Sequence, residues 1–323
     1  MLKRLFYALI MTLCISGCTG VSAPKIRVAA LLKSSTNPFF ALMWEGIKSE
    51  ADRQGLKVDL YWAEKEENFA FQREFLQNRA EDYDALILAP SSPVDAKALL
   101  AHWKSAGKRV VVLDEGIPLL PGEKASTYYD SFIATDNAAG GRLVAEYTKG
   151  HLTAGDTVVV IAGFDFDKPR TAAFEGRIHQ LVPDLRVIRH LGYFDRLKSK
   201  QIARRQLRTF AAAKVIYCAN DHMALGVLEE LKMAGTKKMP LIVGYDSIRA
   251  AHEAILRGEL AASVVQFPAR MGQEGVRTLK QLIEGGLVSE TILIPPQLSV
   301  LRPSVQTVGL EQFSAVEKEA ARE

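Results

Sequence analysis

Short apolar runs alternate along the chain with longer segments in which apolar residues recur every three or four positions. IRVAALL (26–32) reads as a strand covered on both faces, since such strands are apolar almost throughout rather than alternating. Beyond the loop KSSTNPFF, residues Phe39, Phe40, Met43, Trp44, Ile47 and Ala51 fall at helical spacing, and Gly55 ends that helix. The pattern continues with the strand KVDLYW, a helix around Phe69 to Ala80, the strand ALILA (85–89), a helix opened by Pro93, and RVVVL (109–113) running into Asp114. A loop rich in Gly and Pro (116–122) follows, and SFIATDN leads into a helix over 138–149. The alternation then restarts with TVVVIA (157–162), a helix through Phe174 to Leu181, the strand LRVIRHL and a helix from Lys198. A β-α repeat of roughly thirty residues predicts a parallel sheet with helices on both faces, and its restart predicts a second sheet of the same kind. The late segments AASVVQFP, a helix over 270–284 and TILIPPQLSVLRP could return to the first sheet. Residues 304–323 are polar with a weak apolar stripe and read as a tail that frays as a helix.

The stretch Val215 to Asp246, VIYCANDHMALGVLEELKMAGTKKMPLIVGYD, is strand, helix, strand, and both strands run out into small polar residues. Two consecutive parallel strands deliver Asn220 and Asp246 to the same carboxyl-end edge, where open α/β sheets hold ligands. Taken singly, each residue is first of all a helix cap. Asp221 is the expected cap of the helix carrying Met223, Leu225, Val227, Leu228, Leu231 and Met233, which Gly235 closes.

Composition is that of an ordinary globular protein, 48% hydrophobic and 24% charged, and 323 residues favour two domains over one. At the N-terminus, Lys3 and Arg4 precede an apolar run from Leu5 to Ile15 and then small residues, the layout of an export signal that is too short to span a bilayer. Ile15-Ser16-Gly17-Cys18 resembles the lipobox of bacterial lipoproteins, which makes residues 1–17 the signal, Cys18 the lipidated first residue and 18–24 a spacer; a plain cleaved signal is the alternative. Without residues 1–17 the chain holds 39 Lys and Arg to 37 Asp and Glu, so nothing in its charge suggests nucleic acid. Cys218 then stands alone in the folded part, within an apolar strand, and reads as a small buried hydrophobe.

Over nearly its whole mature length the sequence resembles the periplasmic sugar-binding proteins of the ribose-binding type, relatives of the effector domains of LacI-type repressors. The resemblance is carried by Asn37-Pro38-Phe39-Phe40, Asp114, Thr135-Asp136-Asn137, Arg170, Tyr193-Phe194-Asp195, Asn220-Asp221-x-Met223-Ala224-Leu225-Gly226, Gly244-Tyr245-Asp246 and Gln266-x-Pro268. It implies two doubly wound α/β lobes closing on a sugar, with crossings near Ala134 to Asp136, Gln266 to Phe267 and Ile294 to Pro296. The lobes are then 25–134 with 267–295, and 135–266 with 296–303. It also implies binding roles for Asn37, Phe39, Phe40, Asp114, Arg170, Phe194, Asn220, Asp246 and Gln266. Carboxylates, amides and a guanidinium suit hydroxyls that both donate and accept, and aromatic faces suit the C–H surface of a sugar ring. The bland reading of Phe39 and Phe40 is core at a helix start, that of Arg170 a surface charge, and that of Gln266 a strand-end polar group. The function implied is an exported, lipid-anchored monomeric receptor in the cell envelope, at the periplasm or outer surface, that delivers a sugar or polyol to the permease of an ABC importer. The alternative partner is a chemoreceptor or sensor histidine kinase.

Glu115 departs from the ribose-type pattern, in which an arginine follows the strand-end aspartate. Counting Asp114, Glu115 and Asp246 against Arg170 leaves three negative charges to one positive, with Lys33 able to supply a second cation. On that count the site rejects uronates and accepts neutral polyols or amino sugars, unless Glu115 points to solvent. G-x-S-x-G, Walker A, G-x-G-x-x-G and H-E-x-x-H signatures are missing, so no enzyme and no cofactor is expected. Asp165-x-Asp167 and the six histidines make no convincing metal set, and the basic run from Arg196 to Arg208 reads as an exposed helix face.

Overall fold

The computed structural model describes residues 26–66, 68–166, 168–301 and 307–308. The signal, Cys18, the spacer, Asp167 and most of the tail lie outside the described residues. In chain order the elements are β1 Arg27–Ser34, α1 Pro38–Gln54, β2 Lys57–Ala63, α2 Phe69–Asn78, β3 Ala85–Leu88, α3 Pro93–Ser105, β4 Arg109–Leu113 and β5 Ser131–Thr135. There follow α4 Asn137–Thr148, β6 Thr157–Ala162, α5 Pro169–Leu181, β7 Arg186–Leu191, α6 Arg196–Arg205, α7 Leu207–Ala212, β8 Val215–Cys218, α8 Asp221–Met233, β9 Leu241–Asp246, α9 Arg249–Leu256 and β10 Ala262–Val265. The last are α10 Pro268–Ile283, β11 Thr291–Ile294, β12 Gln297–Val300 and β13 Thr307–Val308.

These strands build two sheets, β11-β5-β4-β3-β1-β2 and β13-β12-β10-β9-β8-β6-β7. The near-continuous apolar strands are explained by burial on both faces. In β1, Val28, Ala30 and Leu32 join one core with α1 and α10, while Ala29 and Leu31 join another with Leu76 and Trp103. The second sheet is covered in the same way, by Phe174 and Val144 on one face and by Met223, Leu228 and Ala254 on the other.

The first sheet is wholly parallel, but β12 runs antiparallel to β10. The reason is topological. Strands of both sheets point their carboxyl ends at the boundary between the lobes, so a chain that leaves β11 and passes straight across at Pro295-Pro296 enters the second sheet from its carboxyl edge and must run against it. Of the late segments, α10 and β11 return to the first sheet, whereas β10 and β12 belong to the second. Within the tail, Thr307 and Val308 pair with β12 as a short strand where a frayed helix was expected.

The helix cap at α8 also differs from expectation. Asn220, extended at φ −151° and ψ 168°, is the cap and accepts from the Met223 amide, whereas Asp221 is the first helical residue and fully buried. The basic run stays exposed apart from the half-buried Lys200, and half of it pairs with α8: Arg196 and Lys200 with Glu229, and Arg204 with Glu230. Cys218 is buried, and burial pushes its thiol up, away from the reactive thiolate.

Helices α1 and α10 touch backbone to backbone. A Cβ at Gly46 would lie 2.0 Å from the Ala269 carbonyl oxygen, and one at Gly272 2.3 Å from that of Met43. Gly272→Ala is therefore expected to destabilise the protein by about 1–3 kcal/mol through forced separation of the helices. Gly176→Ala, in α5 with nothing within 4 Å of the added carbon, should be neutral or stabilising by up to about 1 kcal/mol. Denaturant unfolding of both variants checks the contrast, which equal losses would refute.

Candidate ligand-binding cleft

In the first lobe Lys33 is the penultimate residue of β1, and its side chain is buried against the residues that follow β4. Its Nζ lies 2.8 Å from Asp114 Oδ2 and 3.3 Å from Glu115 Oε2, and stands 5.6 Å over the Phe40 ring centroid. Phe39 and Phe40 meet edge to face at 5.2 Å, and both lie in the first lobe's core. Asn37 caps α1 by accepting from the Phe39 amide at 3.0 Å, and its Nδ2 donates to Glu66 Oε1 at 2.5 Å.

In the second lobe the Arg170 Nη1 donates to the Ala219 carbonyl at 2.8 Å and lies 3.7 Å from Asp246 Oδ1. Asp246 Oδ1 also accepts from Gln266 Nε2 at 2.5 Å, while Gln266 Oε1 is buried without a protein partner. Besides capping α8, Asn220 donates through Nδ2 to the Phe194 carbonyl at 3.2 Å. The Phe194 ring covers Gly163, where a Cβ would come 2.1 Å from it, and stands 5.5 Å from that of Phe164. The cap reading of Asn220 is thus realised, and its two polar groups hold the rim of the cleft.

The lobes meet directly through Lys168 Nζ, which donates to Glu115 Oε1 at 2.9 Å. Lys168 closes the loop ahead of α5, and nothing in its local sequence marks it for this contact. With Lys33 and Lys168 both on Glu115, Lys33, Lys168 and Arg170 balance Asp114, Glu115 and Asp246 in number. Glu66, also missed, adds one negative charge at Asn37. With Glu66 counted, four acids face three cations, so the excess of negative charge in the cleft falls to one rather than vanishing.

Electrostatics separates the two sides. Burial works against the Lys33 ammonium, but Asp114 and Glu115 outweigh it and hold the group above its ordinary range. Burial raises Glu115, and the two lysines overcome this and leave it below the carboxylate range. At Asp246 burial wins: Arg170 and Gln266 offset it only in part, Asp114 and Glu66 oppose ionisation, and the carboxyl is pushed up to about 7. No group of His, Cys, Asp and Glu among the described residues could hold a metal ion.

A carboxyl raised in the folded state contributes its stability fully below the ordinary value of about 4 and loses it as pH rises through about 7. Asp246→Asn removes that loss. The melting temperature of the variant relative to the unsubstituted protein should therefore rise from about pH 4 to about pH 7 and level off above that. Thermal unfolding across that range measures it, and a constant difference would refute the raised carboxyl.

The family model described as periplasmic binding protein domain matches residues 28–287. The D-allose-binding periplasmic protein of Escherichia coli is 31% identical over 269 residues, 80% of this chain and 85% of the relative. The D-ribose/D-allose-binding protein of Pseudomonas aeruginosa is 28% identical over 299 residues, 88% of this chain and 92% of the relative. Among solved structures, an ABC transporter periplasmic solute binding protein from Actinobacillus succinogenes with bound D-allose superposes with a TM-score of 0.77 at 21% identity, covering 85% of this chain and 97% of the other.

Proposed function

The chain belongs to the periplasmic binding protein family, and from that premise we propose that it is a solute-binding protein that captures a neutral monosaccharide between its lobes and hands it to the permease of an ABC importer. The family is a transport component without catalysis of its own, and its place is the periplasm. The observation that carries the sugar reading is the second-lobe group Arg170, Asp246 and Gln266, which offers a guanidinium, a partly satisfied carboxylate and an unpartnered buried amide oxygen at one sheet edge. A sugar hydroxyl donates and accepts at once and can satisfy such a group in full. The relatives named for D-allose and D-ribose support an aldose of that type as ligand. We assign ligand contact to Asn37, Phe39, Phe40, Asp114, Arg170, Phe194, Asn220, Asp246 and Gln266. The lobes are 25–134 with 267–295, and 135–266 with 296–303, and the protein works as a monomer. Glu115 serves as a bridge between the lobes, held by a lysine from each.

Calorimetry against D-allose, D-ribose, an amino sugar and a uronate tests this reading. Affinity for a neutral aldose is expected near the micromolar range, about 8 kcal/mol. Asp246→Ala and Arg170→Ala should each weaken it by about 2–5 kcal/mol, since each leaves a buried charged partner unpaired. Glu115→Gln should cost at most about 1 kcal/mol, the range of solvent-exposed ion pairs, and that cost should shrink with salt. No binding of any neutral sugar would sink the function, and unchanged affinity in both severe variants would sink the site.

Anchoring is proposed through Cys18 on the strength of Ile15-Ser16-Gly17-Cys18. No helix among the described residues is long and apolar enough to cross a membrane. A diacylated cysteine carries two chains, enough for stable attachment where one is marginal. Mass spectrometry of the mature protein should find a lipid-modified N-terminal cysteine, and Cys18→Ser should release the protein from the membrane fraction. An unmodified N-terminus would refute the anchor.

A further inference from the structure

Tyr245 belongs to none of the ligand contacts assigned above, yet Arg170 is built around it. Its ring is fully buried, and the guanidinium carbon of Arg170 stands 4.1 Å from the ring centroid. Its hydroxyl donates to Asn137 Oδ1 at 3.0 Å, and Asn137 is the first residue of α4, just past the crossing from β5. Two successive glycines of α4 make this arrangement possible. A Cβ at Gly140 would lie 2.1 Å from the Tyr245 hydroxyl, and one at Gly141 2.2 Å from the carbonyl oxygen of Arg170. The tandem Gly140-Gly141 thus lets one helix press on both the tyrosine and the backbone that carries the arginine.

A planar guanidinium is attracted to an aromatic face, and stacking removes rotamer freedom that the long side chain otherwise keeps. Arg170 is held here from two directions, by the Tyr245 ring and by the Ala219 carbonyl. Its 3.7 Å separation from Asp246 is set by those two contacts as well as by charge. We propose that Tyr245 is a positioning residue of the cleft, one that fixes Arg170 for the ligand and ties it to the first crossing between the lobes. The proposal rests on the sugar-binding reading, and its tests keep the two apart.

The first test uses the unliganded protein. In the nitrogen-15 spectrum the Arg170 Nε–H resonance, assigned by its disappearance in Arg170→Lys, is expected to be displaced by the ring current of Tyr245. An undisplaced resonance overturns the contact whatever the ligand proves to be. In calorimetry, Tyr245→Leu should weaken aldose binding on the order of tenfold, and Tyr245→Phe, which keeps the ring, should recover most of that loss. In an Arg170→Lys background the leucine substitution should change affinity by no more than about twofold, because its effect passes through the arginine. Gly140→Ala, which presses on the tyrosine hydroxyl, takes the place of Tyr245→Leu in the same cycle if the leucine variant does not fold. Losses that simply add, or a folded leucine variant with full affinity, overturn the positioning role alone. A protein that binds none of the sugars overturns the sugar reading, and the positioning role in it, even with the resonance displaced.

Discussion

An ionised carboxylate at the end of a buried strand must find a partner, stay wet or give up its charge. The structure answers this differently for three aspartates. Asp114 lies against Lys33, an ammonium delivered from the carboxyl end of β1, across β3 from β4. Asp221 is buried outright, with Ser263 Oγ donating to it at 2.7 Å and the Ile248 amide at 2.8 Å, and burial pushes it well above the carboxylate range. Asp246 is intermediate, with a distant guanidinium and one amide. Asp221 is a finished structural arrangement, with both oxygens engaged. Asp114 and Asp246 stand at the cleft, and Asp246, with the weaker partners, is the one whose bonding a ligand would complete.

The buried Asp221 explains the backbone around it. Its oxygens hold Ile248 and Ser263, and Ser263 Oγ in turn accepts from the Ser247 amide at 3.0 Å. This fixes the turn after β9, in which Asp246 and Ser247 both have positive φ. Gly244 is required on the same account, because a Cβ there would lie 2.0 Å from Asp221 Oδ1. Asp114, Phe194 and Phe267 share the left-handed backbone at the cleft edge. Each such residue costs on the order of 1 kcal/mol, and the cost is sustained where surrounding bonds fix the turn.

Much of this was legible in the sequence, because strands and helices are announced by local periodicity. The apolar runs ending at Asp114, Asn220 and Asp246 marked both the sheets and the edge that matters. What was not legible depends on contacts between distant segments. Lys168 is one more charge in a polar loop until the second lobe sets it against Glu115, and Tyr245 is an ordinary strand aromatic until α4 offers two glycines beside it. The choice between Asn220 and Asp221 as cap rested on one backbone conformation and on the buried pocket waiting for the aspartate. Phe39 and Phe40 were read both as core and as ligand contacts, and the structure places their rings in the core.

Charge and exposure also decide what can hold the lobes together. The Lys168 and Glu115 side chains are 53% and 37% exposed, so their bond is worth at most about 1 kcal/mol and weakens with salt. The crossings are better joined: the Thr135 hydroxyl donates to the Gln266 carbonyl at 3.1 Å, and the Asp136 amide donates to that of Ile294 at 3.0 Å. Those bonds tie the crossing segments to one another. A ligand shifts an equilibrium between two arrangements of the lobes only by its differential affinity for them. The groups able to supply that difference are the unpartnered Gln266 oxygen and the half-satisfied Asp246, both at the strand-end edge beside the crossings. A ligand held there would act at the middle of the cleft, and the lysine bridge at the rim adds only a modest, salt-sensitive contact.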